Sequence, residues 1–285
     1  MLTDIMGVPG LRVGICQMQV NERKEENIKK ASEMIREACS RGAELVVLPE
    51  MFTCPYDSEL FPEYAEDENG ETITAMRSLA AELGVHLVAG SIPERTPEGI
   101  YNTSFIIDDG GDITARHRKV HLFDIDVEGE ITFRESDTLI AGSSVTVTDT
   151  GSAVIGVGIC YDMRFPELSR MMVLGGAEVL VFPGAFNMTT GPAHWRLLVR
   201  SRALDNQCYC VAVSPARNTG ASYVAYGHSL VADPWGSVMV DAGSSECVLT
   251  VDLDMEMVEK VRRELPLLRN RRPDVYSWME GADHE

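Results

Sequence analysis

The sequence predicts an α/β protein in which helices and buried strands alternate along the whole chain. Three observations predict it. The solid apolar runs "AELVVLPE" (43–50), "SAVIGVGIC" (152–160) and "AEVLVFPG" (177–184) have the composition of strands covered on both faces, as in a parallel sheet. Stretches with apolar residues at helical spacing lie between such runs. Glycine or proline punctuates the junctions, and no linker, repeat or low-complexity tract interrupts the pattern. The chain therefore reads as a single domain over residues 1–285, with its core at about 11–276 and a C-terminal tail at 273–285.

The elements follow in order. "LRVGICQMQV" (11–20) alternates as a strand does, and "NERKEENIKKASEMIREACSRG" (21–42) is an amphipathic helix with a glycine stop. "AELVVLPE" is a buried strand ending in a carboxylate, "TAMRSLAAELG" (74–84) a helix and "VHLVAGSIP" (85–93) a strand. "YNTSFIIDDGGDITARHRKV" (101–120) is a hairpin turning at "DDGGD". After "SAVIGVGIC", Pro166 stands where a helix begins and "ELSRMMVLGG" (167–176) continues it. "HWRLLVRSRALDNQ" (194–207) is a further helix. "CYCVAVSPA" (208–216), "GHSLVADPWG" (227–236) and "ECVLTVDLD" (246–254) complete the strands.

A chain of 285 residues buries a core without covalent staples. Its seven cysteines are scattered, and the N-terminal stretch has neither the basic nor the apolar segment of a secretion signal, which implies a reducing, cytoplasmic setting. No apolar run approaches the ~20 residues of a membrane span. A formal charge of −19 excludes phosphate-backbone binding as a main function.

Cys160 is the first candidate for chemistry. It ends an apolar strand just before a turn into a helix, where a helix N-terminus lowers a thiol pKa and offers N–H groups to an oxyanion. A lone buried cysteine is more often an inert core residue, but Gly156 and Gly158 in the preceding strand mark a close approach of backbone or ligand. A thiol nucleophile needs a base, and His121 and His194 are the histidines that spacing does not dismiss. Glu50 is the second candidate, because a carboxylate closing an apolar strand is either paired or functional. Lys119, inside "RHRKV", reads alone as a solvated charge beside Arg116 and Arg118.

Taken together, "VVLPEMF", "RHRKVHLFD" and "GVGICYDMRFPE" resemble the three signature segments of the nitrilase superfamily of carbon–nitrogen hydrolases, in the same order and at fitting separations. The resemblance spans about residues 11–276 and implies a four-layer αββα sandwich. It further implies Glu50 as general base, Lys119 as the cation and Cys160 as nucleophile. The oxyanion would be held by Lys119 and the backbone N–H of Tyr161. A fourth family residue, a glutamate that holds the lysine, matches Glu135 in "FRES", with Glu128 and Glu130 as neighbouring competitors. Self-association into a dimer or larger assembly is implied too, with "RRPDVYSW" resembling a segment that crosses to a partner.

The residues after the cysteine, Tyr161 and Asp162, point to amides, since nitrile-cleaving relatives typically carry Trp and Glu there. "FDIDVEGEITFRES" and "FNMTTGPAHW" resemble the ω-amidase branch. This implies hydrolysis of small 2-oxo dicarboxylate monoamides (2-oxoglutaramate, 2-oxosuccinamate) to the diacid and ammonia. "CYDMRFPELS" is shared with a sister branch acting on deaminated glutathione, and an N-carbamoyl amide hydrolase is a further alternative. A catalytically idle scaffold would be expected to lack Glu50, Lys119 or Cys160. No cofactor and no metal are expected, and Cys208 and Cys210, on one face of a strand, read as core packing. An anionic substrate needs a local cation, and Arg164 is nearest the nucleophile unless it pairs with Asp162, Glu167 or Glu178. Tyr56, Phe186, Asn187, Thr189 and Thr190 are the further candidates for the acyl pocket. Arg202 and Asp205 read as a structural pair.

Overall fold

The computed structural model describes residues 10–129 and 131–276. The alternating run forms strand β1 (Gly10–Gln17), and the amphipathic segment after it forms helix α1 (Lys24–Ser40). Then come β2 (Leu45–Val47), the short α2 (Phe61–Tyr64), α3 (Glu71–Leu83), β3 (His86–Val88), β4 (Ile92–Arg95), β5 (Ile100–Ile107) and β6 (Ile113–Arg118). A two-stranded ribbon, β7 (Asp124–Val127) and β8 (Ile131–Arg134), projects next. The second half runs β9 (Thr146–Asp149), β10 (Val154–Val157), a tight 3₁₀ turn over Cys160–Arg164, α4 (Pro166–Leu174), β11 (Val179–Pro183), α5 (Arg196–Asn206), β12 (Tyr209–Val213), β13 (Leu230–Ala232) and β14 (Val238–Asp241). The chain then returns to the first half with β15 (Cys247–Asp254), followed by α6 (Met255–Glu264) and α7 (Pro273–Tyr276).

Two sheets result. In the first, β15 lies antiparallel to β1, then β1, β2 and β3 run parallel, and β5 closes the row with β3 and β4 along one edge and β6 along the other. The second has the order β14-β13-β12-β11-β10-β9, parallel at β10, β11 and β12. Val13, Ile15, Leu45 and Val47 of the first sheet pack on Ile155, Val157, Val179, Val181 and Val211 of the second. The outer face of the first sheet is covered by Ala31, Ile35 and Ala38 of α1 and Ile73, Met76 and Ala80 of α3. That of the second is covered by Met172 of α4 and Val199 and Ala203 of α5. This is a four-layer αββα sandwich, and three apolar seams hold its layers together. No helix among the described residues is long and apolar enough to cross a membrane.

The structure departs from the sequence reading in several places. The strand expected over 85–93 is two, β3 and β4, broken at Gly90. There φ is +49°, and a Cβ would stand 2.1 Å from the carbonyl oxygen of Pro49, so the break brings the chain against the residue preceding Glu50. The ribbon β7–β8, the edge strands β9 and β14, and helix α6 were not anticipated. Of the tail, residues 273–276 form α7, and 277–285 lie outside the described residues.

The two glycines before Cys160 have a packing role. A Cβ on Gly156 would stand 2.8 Å from the Met172 Cβ, and one on Gly158 would stand 2.6 Å from the Phe182 ring. They let α4 and β11 close on β10 rather than admit a ligand. Gly156→Ala is therefore expected to cost about 1–3 kcal/mol of stability, measured by denaturant unfolding.

Candidate active site

The loops leaving β2, β6, β10 and β11 converge at one end of the sandwich, where the ends of parallel strands leave a crevice. Three residues past β2 stands Glu50, 1% exposed. β6 explains which of "RHRK" goes inside. Residues alternate across a strand, so Arg116 and Arg118 share one face and pair with Glu94, at 3.2 and 2.7 Å, while His117 and Lys119 point inward and are fully buried. Lys119 Nζ then lies 2.9 Å from Glu50 Oε1 and 2.9 Å from the Glu135 carboxylate. Glu135, just past β8, is held by the N–H of Phe123 at 2.7 Å and by the Tyr56 hydroxyl at 2.7 Å. Of the neighbours weighed against it, Glu128 is exposed, and Glu130 lies outside the described residues.

Glu50 is fixed on both oxygens. Oε1 accepts from Lys119 and from Asn102 Nδ2 at 2.9 Å, and lies 3.2 Å from the Tyr56 hydroxyl oxygen, whose proton goes to the shorter bond with Glu135. Oε2 accepts from the N–H of Ala185 at 2.9 Å, and that same N–H lies 3.4 Å from Cys160 Sγ. One backbone donor thus serves the carboxylate and the sulfur together. The Ala185 carbonyl is in turn held by the Tyr223 hydroxyl. Cys160 itself has φ +46°, a conformation that costs a non-glycine residue about 1–3 kcal/mol and persists where neighbours enforce it.

The electrostatics follow from burial. Desolvation raises the Glu50 pKa above its ordinary value, against the pull of Lys119. Burial, then the Glu50 charge, push the Cys160 thiol well above its usual range. The thiol is therefore not activated by a helix terminus as the sequence suggested. Burial works against the Lys119 ammonium, but Glu135 and Glu50 outweigh it and raise its pKa. The cluster holds one cation and two carboxylates, so it has no room for a free thiolate as well.

A cavity of about 780 Å³ reaches this cluster, lined among others by Glu50, Tyr56, Ala185, Tyr223 and Ala225. Of the acyl-pocket candidates, Tyr56 lines it, with its hydroxyl already engaged by Glu135 and Glu50. Arg164 forms none of the expected ion pairs: among the described residues no carboxylate pairs with it. Its guanidinium lies over the rings of Phe186 at 4.5 Å and Tyr161 at 5.6 Å and contacts His194 Nδ1 at 3.0 Å, and its Nε is buried with no hydrogen-bond partner. Phe186 packs edge-on against Trp195. Asn187 Oδ1 accepts from Thr190 N–H at 2.8 Å and Oγ1 at 3.0 Å, and Thr189 lies in the same loop. Arg202 and Asp205 form the pair read from the sequence, at 3.6 Å.

Each candidate histidine is bonded elsewhere than to Cys160. His194 is turned to Arg164, and His121 donates to Asp162 at 2.8 Å. Sequence reasoning missed Asn102, the Ala185 N–H, Tyr223 and Asp162. Among the described residues no group of three or more His, Cys, Asp or Glu side chains is placed to hold a metal ion.

Residues 12–263 match the sequence model of the family described as carbon-nitrogen hydrolase. The chain belongs to the carbon–nitrogen hydrolase family. It is 49% identical to the omega-amidase NIT2 of Xenopus tropicalis and 47% identical to that of Homo sapiens, each over 93% of this chain and 96% of the relative. The crystal structure of Saccharomyces cerevisiae Nit3, a member of branch 10 of the nitrilase superfamily, superposes with a TM-score of 0.85 at 41% identity, covering 92% of this chain and 97% of that one. These similarities bear out the resemblance drawn from the three segments, and the chain is an amide-hydrolysing enzyme of this family.

With Glu50 and Cys160 both shifted upward, the pair holds a single shared proton over a wide range. A second proton, carried by Glu50, leaves its carboxyl unable to accept from the thiol, so kcat/KM is expected to rise on an acid limb whose midpoint lies above the ordinary 4.5. It should not decline before pH 9, the ordinary thiol value. A pH–rate profile with its acid midpoint at or below 4.5, or declining by pH 8, contradicts this.

Proposed function

We propose that the chain is a thiol amidase that hydrolyses the terminal amide of small 2-oxo dicarboxylate monoamides, 2-oxoglutaramate and 2-oxosuccinamate, to the 2-oxo diacid and ammonia. The observation that carries the chemistry is the Ala185 N–H shared between Glu50 Oε2 and Cys160 Sγ, beside a lysine bonded to two carboxylates. The substrate class is supported by the omega-amidase relatives, which share nearly half of their residues with this chain.

Glu50 Oε2 takes the thiol proton as Cys160 Sγ bonds to the amide carbon, and the carbonyl electron pair moves onto oxygen. Lys119 and the Tyr161 N–H hold that oxyanion. Glu50 passes the proton to the nitrogen, the C–N bond breaks and ammonia leaves a thioester on Cys160. Glu50 next takes a proton from water, the new C–O bond forms, the C–S bond breaks and the sulfur recovers its proton. Glu135 holds Lys119 in place throughout. Arg164, a cation with no carboxylate partner among the described residues, receives the substrate carboxylate, with Phe186 as wall and Asn187, Thr189 and Thr190 as polar contacts.

The reading extends to one domain over residues 1–285, a reducing cytoplasmic setting and self-association. All seven cysteines are free. Met171 and Leu174 of α4 and Leu197 and Leu204 of α5 offer exposed apolar surface to a second copy.

Ammonia release from 2-oxoglutaramate, deaminated glutathione and an N-carbamoyl amino acid, compared in parallel, tests the substrate. The first is expected to be preferred, and Cys160→Ala to lose activity by ~10³-fold or more. Preference for either of the others assigns the site to that alternative. Arg164→Gln is expected to raise KM by about tenfold with kcat within about threefold, the loss of one charge-assisted contact. An unchanged KM would remove Arg164 from the carboxylate site.

A further inference from the structure

Asp162, two residues past the nucleophile, is fully buried and is not among the residues that line the cavity. Its carboxylate nevertheless accepts four hydrogen bonds. Oδ2 takes the N–H of Ile159 at 2.9 Å and His117 Nε2 at 2.9 Å, and Oδ1 takes the N–H of His121 at 2.9 Å and His121 Nδ1 at 2.8 Å. The first of these bonds closes the turn around Cys160. The other three reach across to the segment carrying the lysine, because His117 and His121 stand two residues before and two residues after Lys119.

The circuit closes on its far side. His117 Nδ1 lies 3.0 Å from Thr146 Oγ1, and Thr146 opens β9, whose register places it opposite Val157 at the end of β10. β10 leads directly into Cys160. His121 also stacks on Phe165 at 3.6 Å with the planes 7° apart, and the Phe165 N–H donates to the Asp162 carbonyl. The nucleophile comes from one sheet and the lysine from the other, and this ring of contacts joins the two immediately beside the reacting groups.

We propose that Asp162, His117 and His121 form a positioning brace that holds the Cys160 turn against the Lys119 strand and keeps the thiol in reach of Glu50 and the oxyanion cation. Two independent observations require such a device. Cys160 sits at positive φ, a conformation that survives only where its surroundings over-determine it. And Asp162 is a buried carboxylate with no lysine or arginine beside it, which four donors make tolerable where it stands. The hydrogen bonds from His117 and His121 outweigh its burial and hold it ionised, so it stays an acceptor for all four donors. The brace touches no substrate and acts through geometry, to which catalysis is sensitive on the scale of an ångström.

The proposal rests on the reading of Cys160 as nucleophile. Its test compares Asp162→Asn, His121→Phe and His121→Asn with wild type in kcat, KM, thermal midpoint and the rate of Cys160 alkylation by iodoacetamide, followed by peptide mass spectrometry. Asparagine at 162 offers one acceptor oxygen in place of two, and phenylalanine at 121 keeps the stack on Phe165 but loses the ring donor. Both are expected to lower kcat by about ten- to a hundredfold with KM within about twofold, and to slow alkylation in parallel. His121→Asn, whose amide nitrogen occupies the place of imidazole Nδ1, is expected to recover kcat to within about threefold of wild type. If kcat and alkylation rate per folded molecule stay at wild-type values in Asp162→Asn and His121→Phe, even with a lower thermal midpoint, the brace is merely structural and the proposal is overturned. Should Asp162→Asn fail to fold, the two His121 variants decide between these outcomes. If stoichiometric alkylation of wild-type Cys160 leaves ammonia release intact, the nucleophile reading itself fails and takes the brace with it.

Discussion

One buried ammonium between two buried carboxylates is the constraint from which the rest of the site follows. Removing three charges from water is costly, and their mutual attraction offsets that cost only with good geometry and full hydrogen bonding. The surroundings supply both. Asn102 and the Ala185 N–H saturate Glu50, while Tyr56 and the Phe123 N–H saturate Glu135. Burial first, and then the Glu50 charge, keep the neighbouring thiol protonated at rest. Catalytic thiols are often activated by a standing positive field. Here no such field stands, and in the proposed reaction the proton moves as a carbonyl carbon arrives to share the sulfur's charge and Lys119 turns part of its field to the new oxyanion.

The sandwich makes such a cluster possible. Glu50 and Lys119 come from loops of one sheet, Cys160 and Ala185 from loops of the other, and the apolar seam between the sheets fixes the distance between the two pairs. Within the first sheet, Gly90 beside Pro49 lets the chain close on the residue that precedes Glu50. A four-layer architecture places the reacting groups where two sheets meet, so their alignment depends on contacts that cross between sheets. The Asp162 carboxylate makes three such contacts within two residues of the nucleophile.

Much of this was legible in the sequence, for identifiable reasons. Solid apolar runs mark β2, β10, β11 and β12 because these strands are covered on both faces. Glu50 stands out because carboxylates are rare at the end of such runs. Lys119 was harder. Read alone it resembled its arginine neighbours, yet strand alternation through Arg116, His117 and Arg118 already implies that residues 117 and 119 share the inner face. Helix α6 was missed although its signals were present: Asp254 caps the N-terminus, accepting from the Glu256 N–H, and Val258 and Val261 are buried at helical spacing. The Ala185 N–H and Asn102 carried no signal. A backbone donor has no letter of its own, and one asparagine in an ordinary hairpin strand looks like any other. Asp162 was weighed, with Glu167 and Glu178, as a partner for Arg164, and its true partners lie about 40 residues upstream, brought near where β9, paired with β10, meets β6 through the Thr146 hydroxyl on the Arg116 carbonyl.

The most direct test of the account is the protonation state of Cys160 in the resting enzyme. It can be read as the thiolate absorbance near 240 nm of wild type minus Cys160→Ala across the pH range. A thiol kept neutral by burial and by Glu50 gives no difference signal at neutral pH and titrates above 9, the ordinary cysteine value. A thiolate signal already present at pH 7 would mean that the positive field at the site exceeds that of the two carboxylates. The buried Glu–Lys–Glu cluster would then not be the element that governs the nucleophile.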